Sequence, residues 1–295
     1  MSETIRSWLD AARRQLAGGL PEPEARFEAA LLMTEALGVN RAWLISHAEQ
    51  ALTTEQLTDF QALLQRRLQG EPVAYILGKR EFYGMALSIT PDVLIPRPDT
   101  ETLVDAALAY IPAGQPCRVL DLGTGSGAIA IALATHRALS TVTAVDASQS
   151  ALAVAQRNAE QSDARNVHCI LSDWFSALPG EVFDVIVSNP PYIAAGDPHL
   201  EQGDLRFEPA GALASGPDGL DAIRHIVAMA PRHLADRGWL LLEHGHDQAA
   251  AVAALMGAHG FEDIGHAADL AGIQRVTLGR RPARSGLDGI LRRKR

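Results

Sequence analysis

Apolar residues between Thr4 and Leu68 recur at intervals of three and four: Ile5, Trp8, Leu9, Ala12 and Leu16, then Phe27, Ala30, Leu31 and Leu37, then Leu57, Phe60, Leu63, Leu64 and Leu68. That spacing predicts amphipathic helices, because it returns to one face of a 3.6-residue period. Gly18, Gly19, Pro21, Gly38 and Gly70 divide them, and Thr53 and Thr54 offer a cap to the last. From residue 71 to 92 the period changes. Val73, Tyr75, Ile76, Phe82, Tyr83, Leu87 and Ile89 lie between Pro72, Gly78, Gly84 and Pro91, which predicts short strands in a β-hairpin linker.

Past residue 92 the chain alternates buried-strand runs with helical patterns. Strands are expected at 117–122, 141–145, 167–171, 183–187 and 239–243, with a terminal strand pair at 261–264 and 276–278. Helices are expected between them: one with Leu103, Ala106, Ala107 and Tyr110 on its apolar face, capped by Asp99, and others at 128–133, 148–160, 221–234 and 248–259. The alternation describes a doubly wound α/β unit with a mostly parallel sheet and an antiparallel edge strand. The expected organisation is therefore a helical N-terminal domain (1–70), a β-hairpin linker (71–92), an α/β domain (93–280) and a basic C-terminal tail (281–295), the tail disordered.

Composition narrows the class. A chain of 295 residues with 47% hydrophobic content has enough apolar surface for a sizeable core. Cys117 and Cys169 sit in apolar runs without metal-ligand spacing, so they read as core thiols of a reducing compartment. No charged-then-apolar leader opens the sequence and no run is long enough to span a bilayer, so a cytoplasmic location away from membranes is expected. The net charge is −9 although the last sixteen residues hold six Arg and one Lys against one Asp. The body is thus strongly acidic, a poor match to a nucleic-acid backbone.

Two stretches carry chemistry. Gly123-Thr124-Gly125-Ser126-Gly127 follows a strand and opens a helix, with the spacing G-x-G-x-G rather than the dinucleotide G-x-G-x-x-G. Asp121 lies two residues upstream and either faces the ammonium of an amino-acid moiety or tethers the loop. Asp146 ends the second strand, where this fold sets an acid against ribose hydroxyls. Asp173 can accept from an exocyclic amine after the third strand, and Trp174 either packs on adenine or joins the core. These residues together describe a nucleoside with an amino-acid tail, hence S-adenosylmethionine, with S-adenosylhomocysteine as product. The other stretch is Asn189-Pro190-Pro191-Tyr192, stiff because two successive residues lack a backbone donor. It is either a rigid turn or a clamp for a flat, amide-bearing group. Arg97, held between two prolines, serves a ligand carboxylate or a structural one.

The run from Asp121 to Gly127, taken with Asn189-Pro190-Pro191-Tyr192, resembles class I methyltransferases that modify planar nitrogens, both adenine-N6 and glutamine-N5 enzymes. The runs 95–101, 206–209, 241–245 and 275–279 are similar to those of bacterial release factor glutamine methyltransferases, the HemK or PrmC family. Residues 271–274 vary that pattern and 281–295 extend past it. The resemblance implies a Rossmann-like methyltransferase domain and transfer of methyl to the glutamine N5 of the Gly-Gly-Gln motif in class I release factors, without a metal. It also implies a release-factor-binding role for the helical domain. Asn189 and the Pro190 carbonyl would accept the amide N–H groups, Pro191 would stiffen the loop and Tyr192 would pack on the amide. Gly123 to Gly127, Asp146, Asp173, Trp174 and Asn189 would hold the cofactor. Glu208 and Glu243 are given no catalytic role, Glu243 being expected in buried structural hydrogen bonding. The rival readings are a nucleic-acid adenine-N6 methyltransferase and a non-enzymatic cofactor- or partner-binding protein.

Overall fold

The computed structural model describes residues 4–283; most of the basic tail, from residue 284, lies outside the described residues. The chain divides into two compact units, the first running to Lys79 with Gly203–Phe207 added, the second comprising Arg80–Gln202 and the chain from Glu208 onward.

The first unit holds α1 (Ile5–Leu16), α2 (Glu22–Leu37), α3 (Arg41–Ser46), α4 (Thr54–Leu68) and α5 (Val73–Leu77). Thr53 and Gln56 form a reciprocal capping box at the start of α4, and α2 stops at Gly38, which takes a left-handed φ of 63°. Ile5, Leu32, Met33 and Phe60 form the centre of its core. Two expectations fail here. Val73, Tyr75 and Ile76 were expected in a strand and instead form the one-turn helix α5, all three buried, with Pro72 at its N-cap and Gly78 at its end. The apolar face expected for α2 is also rotated: Phe27 is 47% exposed, while Ala25, Glu28, Ala29, Leu32 and Met33 face inward. A buried glutamate breaks the expected periodicity, and it is tolerated because Arg67 of α4 meets it at 2.6 Å.

The second unit opens with the hairpin β1 (Lys79–Phe82) and β2 (Met85–Ser88). Its turn residues Tyr83 and Gly84 have φ of 50° and 73°, as the two central positions of a type I′ turn require. The Glu101 carboxylate accepts from Tyr83 N at 2.8 Å. Next come α6 (Glu101–Leu108), β3 (Cys117–Leu122), α7 (Ala128–His136), β4 (Ser140–Asp146), α8 (Gln149–Gln161), β5 (Val167–Leu171), β6 (Phe183–Ser188), α9 (Asp221–His233), β7 (Leu234–Glu243), α10 (Ala249–Ala258), β8 (Glu262–Ala268) and β9 (Gln274–Arg280). Asp99 does not cap α6: a 3-10 turn at Pro98–Thr100 precedes that helix, and the Asp99 carboxylate pairs with Arg275 at 2.9 Å instead.

The seven-stranded sheet has the order β5-β4-β3-β6-β7-β9-β8. Pairs from β5 through to β7 are parallel, and β9 runs antiparallel to both its neighbours. The antiparallel strand is therefore one place in from the edge. Strands β3, β4 and β6 are buried almost throughout, which explains their near-continuous apolar sequences. Leu120, Leu122, Ile186, Leu240 and Leu242 pack on one sheet face with Ile223, Ile226, Val252 and Met256 from α9 and α10. Between β3 and β6 the winding direction reverses, so their carboxyl ends part and leave a crevice.

Candidate active site

The crevice is built by register. Leu122 of β3 pairs with Ser188 of β6, and the Ser188 hydroxyl donates to the Leu122 carbonyl at 2.7 Å. Gly123 and Asn189 therefore leave adjacent strands side by side. The glycine loop is held from three directions: Thr124 N donates to Val145 O (2.9 Å), the Thr124 hydroxyl to Asp121 Oδ2 (2.7 Å) and Gly125 N to Asp146 Oδ2 (2.9 Å). Gly127 closes the turn at φ 82°, and a Cβ there would lie 3.2 Å from the backbone of Ala155. Its hydrogen is what lets α7 start against α8.

A cavity of about 500 Å³ opens in front of this loop. Gly123, Gly125, Asp146, Asp173, Trp174, Asn189 and Pro191 line it, roofed by Leu94, Pro209 and Ala212. Asp146 uses one lone pair on each oxygen for Gly125 N and Ser148 N, both at 2.9 Å, and keeps further acceptor capacity towards the cavity. Trp174 stands in the left-handed region at φ 49°, unusual for a bulky side chain. The Ser172 hydroxyl donates to its carbonyl at 2.7 Å, and its half-buried ring lies beside Gly123. A narrower space of about 50 Å³ continues past Gly123 and Gly125, bounded by Thr124, Ser126, Arg97, Thr100 and Asn189. The wall suits a cofactor of nucleoside size with an amino-acid tail: the loop offers free approach at Gly125, where nothing lies within 4 Å of a Cβ position, and acids flank the wide part.

Asp121 is not on the cavity wall. It is wholly buried under the loop, where its Oδ2 accepts from the Thr124 hydroxyl and its Oδ1 has no hydrogen-bond partner. Arg97 pairs with Glu208, whose other oxygen accepts from Ile95 N at 3.0 Å. Pro190 is buried, and Tyr192 packs against the core with its hydroxyl 3.5 Å from Glu243 Oε1. His244 is a packed residue, held by Gly245 O and Thr277.

The residue that sequence reasoning left without a role is Thr100. Its buried hydroxyl accepts from Asn189 Nδ2 at 3.2 Å. Only its place in the Arg-Pro-Asp-Thr-Glu run marked it; no local pattern shows that a helix-opening threonine will meet a loop 89 residues away.

Burial pushes both Asp121 and Glu243 up to about 7, from 3.8 and 4.5. The folded state therefore holds protons at these two groups that the unfolded chain releases, so the stability they contribute falls as pH rises from about 4 to about 7 and levels off above. Asp121→Asn should flatten that slope. Amide hydrogen exchange of β3 in the two proteins at pH about 5 and about 8 checks it: wild type loses more protection across the interval than the variant.

A doubly wound sheet with this loop and an Asn-Pro-Pro-Tyr segment meeting at its switch point defines a class I methyltransferase. Residues 7–78 match the PrmC N-terminal domain and residues 101–208 the methyltransferase small domain. The release factor glutamine methyltransferase of Pseudomonas aeruginosa is 53% identical over 261 residues, 88% of this chain and 94% of that protein. Its Escherichia coli counterpart is 46% identical over 273 residues, 92% and 97% of the two chains. This chain belongs to the release factor glutamine methyltransferases. Among solved structures, the 16S rRNA N2 G1207 methyltransferase of T. thermophilus shares the fold at a TM-score of 0.51 and 21% identity, over 69% of this chain and 49% of that one.

Proposed function

We propose that this enzyme transfers a methyl group from S-adenosylmethionine to the side-chain nitrogen of a glutamine, that of the Gly-Gly-Gln motif in class I release factors. The observation that carries the reading is the place of Asn189, which lines the crevice beside the glycine loop with its side-chain NH2 donating to Thr100. An amide nitrogen is a poor nucleophile because its lone pair is delocalised, and the segment offers no strong base to deprotonate it. Asn189 Oδ1 and the Pro190 carbonyl accept the two amide N–H bonds, which aims the nitrogen and eases its pyramidalisation. When bound, the cofactor would supply a sulfonium-activated methyl group: the N–C bond would form as the S–C bond breaks, and S-adenosylhomocysteine would leave. The methylated nitrogen, now acidic, would release one hydrogen as a proton to water. Gly123, Thr124, Gly125, Ser126 and Gly127 let it approach the backbone, Asp146 takes the ribose hydroxyls, Asp173 the exocyclic amine and Trp174 the adenine face. Pro191 closes the wall behind the acceptor, and Tyr192 stiffens the loop through the core and Glu243.

The helical unit is the natural reader of the partner. It carries a groove rimmed by Arg6, Arg13, Arg26 and Arg41, and among the described residues no helix is long and apolar enough to cross a membrane.

The deciding experiment is mass spectrometry of a purified release factor after incubation with the enzyme and S-adenosylmethionine. The glutamine peptide gains the mass of one methylene. Methylation of DNA or RNA with an untouched release factor would reverse the assignment. A narrower check concerns Asp146→Ala, which should weaken S-adenosylmethionine binding about thirtyfold, the worth of a charge-assisted hydrogen bond, with transfer at saturating cofactor changed much less. Calorimetry beside saturation kinetics reads both.

A further inference from the structure

We propose that Gln248 is a positioning residue for methyl transfer: it anchors the Tyr192 carbonyl and so fixes the acceptor segment Asn189-Pro190-Pro191-Tyr192 in place. The proposal rests on the reading of that segment as the acceptor clamp. Ser188 of β6 pairs with Leu242 of β7, so the segment after β6 and the turn after β7 leave adjacent strands side by side. Gln248 ends that turn at the N-cap of α10, yet its side chain makes no capping bond to the helix. It turns back instead. Its Oε1 accepts from Gly245 N at 2.8 Å and its Nε2 donates to Tyr192 O at 3.0 Å. Both ends of the amide are committed, and only one orientation satisfies them: a flip would set oxygen against oxygen and N–H against N–H.

The base of this bridge is fixed. Gln248 N donates to Gly245 O at 3.0 Å, so the turn closes on itself, and Nδ1 of the buried His244 meets the same carbonyl at 2.9 Å. The far end is a carbonyl that has room only because Gly219 has no side chain. At the φ of 77° found there, a Cβ would lie 2.2 Å from Tyr192 O and 2.9 Å from Gln248 Nε2. The chain past Tyr192 is tied as well, Ile193 N donating to Leu213 O and Ser215 N to Ile193 O, both at 2.9 Å. Between the end of β6 and this anchor lie Pro190 and Pro191, whose fixed φ angles leave the segment few ways to absorb a shift. A displaced Tyr192 carbonyl therefore moves the Pro190 carbonyl and Asn189, the groups that take the glutamine N–H bonds. Transfer depends on that geometry, and a misplacement of about 1 Å can cost on the order of a hundredfold. Tyr192, Gly219 and Gln248 line neither the cavity nor the narrower space beyond it, so cofactor affinity does not depend on the anchor.

The test is Gln248→Glu in the full chain at pH about 8, where a glutamate is ionised. The variant keeps the length of the side chain and the acceptor for Gly245 N, and its charge suits the first turn of α10. What it loses is the donor: an oxygen now faces Tyr192 O. Single-turnover transfer to a release factor should fall about tenfold, a hydrogen bond having given way to an oxygen–oxygen contact, while S-adenosylmethionine affinity by calorimetry stays within about twofold. Amide exchange at Ile193 and Ser215 should quicken about fivefold or more with α10 still protected, whereas a role confined to the start of α10 would leave both amides and transfer unmoved. Gly219→Ala attacks the same bond from another element and should show the same split between transfer and cofactor affinity. Transfer within about twofold of wild type in Gln248→Glu, or cofactor affinity lost in step with transfer, would overturn the proposal. Asn189→Ala run alongside separates the two levels. If it transfers like wild type, the clamp reading falls and the anchor with it; if it is inactive while Gln248→Glu is normal, only the anchor falls.

Discussion

Asn189→Ala lowers methyl transfer to a release factor by two to three orders of magnitude and leaves S-adenosylmethionine affinity within about threefold of wild type. The size follows from what one preorganised polar contact contributes when it strengthens as the reacting atom changes shape; removal of such a group elsewhere costs about 10²–10³ in kcat. The glutamine nitrogen must leave its planar geometry to attack, and in the proposed mechanism the Asn189 oxygen is the acceptor that tracks its N–H through that change. Cofactor affinity is spared because Asn189 is one of many wall residues, Asp146, Asp173, Trp174, Gly123 and Gly125 among them. Alanine leaves the strand-end register intact, since Leu122 and Ser188 pair through backbone and the Ser188 hydroxyl. Calorimetry with S-adenosylmethionine and single-turnover transfer measure the two quantities separately. Wild-type transfer would remove Asn189 from the mechanism altogether.

Much of this site could be read from sequence because its parts are local. A buried parallel strand has to be apolar on both faces, so Cys117–Leu122 and Phe183–Ser188 announced themselves, and the residues just past the carboxyl end of each such strand line the crevice. The glycine loop and the two prolines after Asn189 restrict the backbone by their own covalent structure. The features that stayed hidden depend on partners distant in sequence. Asp99 had the chemistry of a helix cap, but Arg275, brought close by β9, outcompetes the helix N-terminus for its carboxylate. Val73, Tyr75 and Ile76 have strand-forming side chains, yet a five-residue segment between Pro72 and Gly78 has no neighbouring strand and coils to bury them. Thr100 is invisible for the same reason: its contact is with Asn189, which lies on another element.

Arg67→Met should strongly destabilise the helical unit. Arg67 is 6% exposed by side chain, and its guanidinium makes a two-point contact with Glu28, at 2.6 and 3.3 Å, before reaching Asp204 at 3.1 Å. Glu28 already sits above its ordinary acid range because burial outweighs the help from Arg67. Removing the cation leaves the Glu28 carboxylate uncompensated at a nearly dry position, with the half-exposed Asp204 beside it, and breaking such a buried pair costs about 3–5 kcal/mol. With two compact units in one chain, a single melting temperature would blend their transitions, so amide hydrogen exchange is the better measure. Protection of α2 and α4 should fall by roughly 150-fold or more, the equivalent of about 3 kcal/mol, while β3, β4 and β6 keep theirs. The double variant Glu28→Leu with Arg67→Met should recover most of the loss, because an apolar pair of similar volume replaces the ion pair without desolvating a charge. If the double variant is no better than the single one, the destabilising group is Asp204. That residue belongs to the short run Gly203–Phe207, which lies between the Asn189 loop and Glu208 in sequence yet folds with the helices. Arg67 would then be holding that run in place, and not mainly neutralising Glu28.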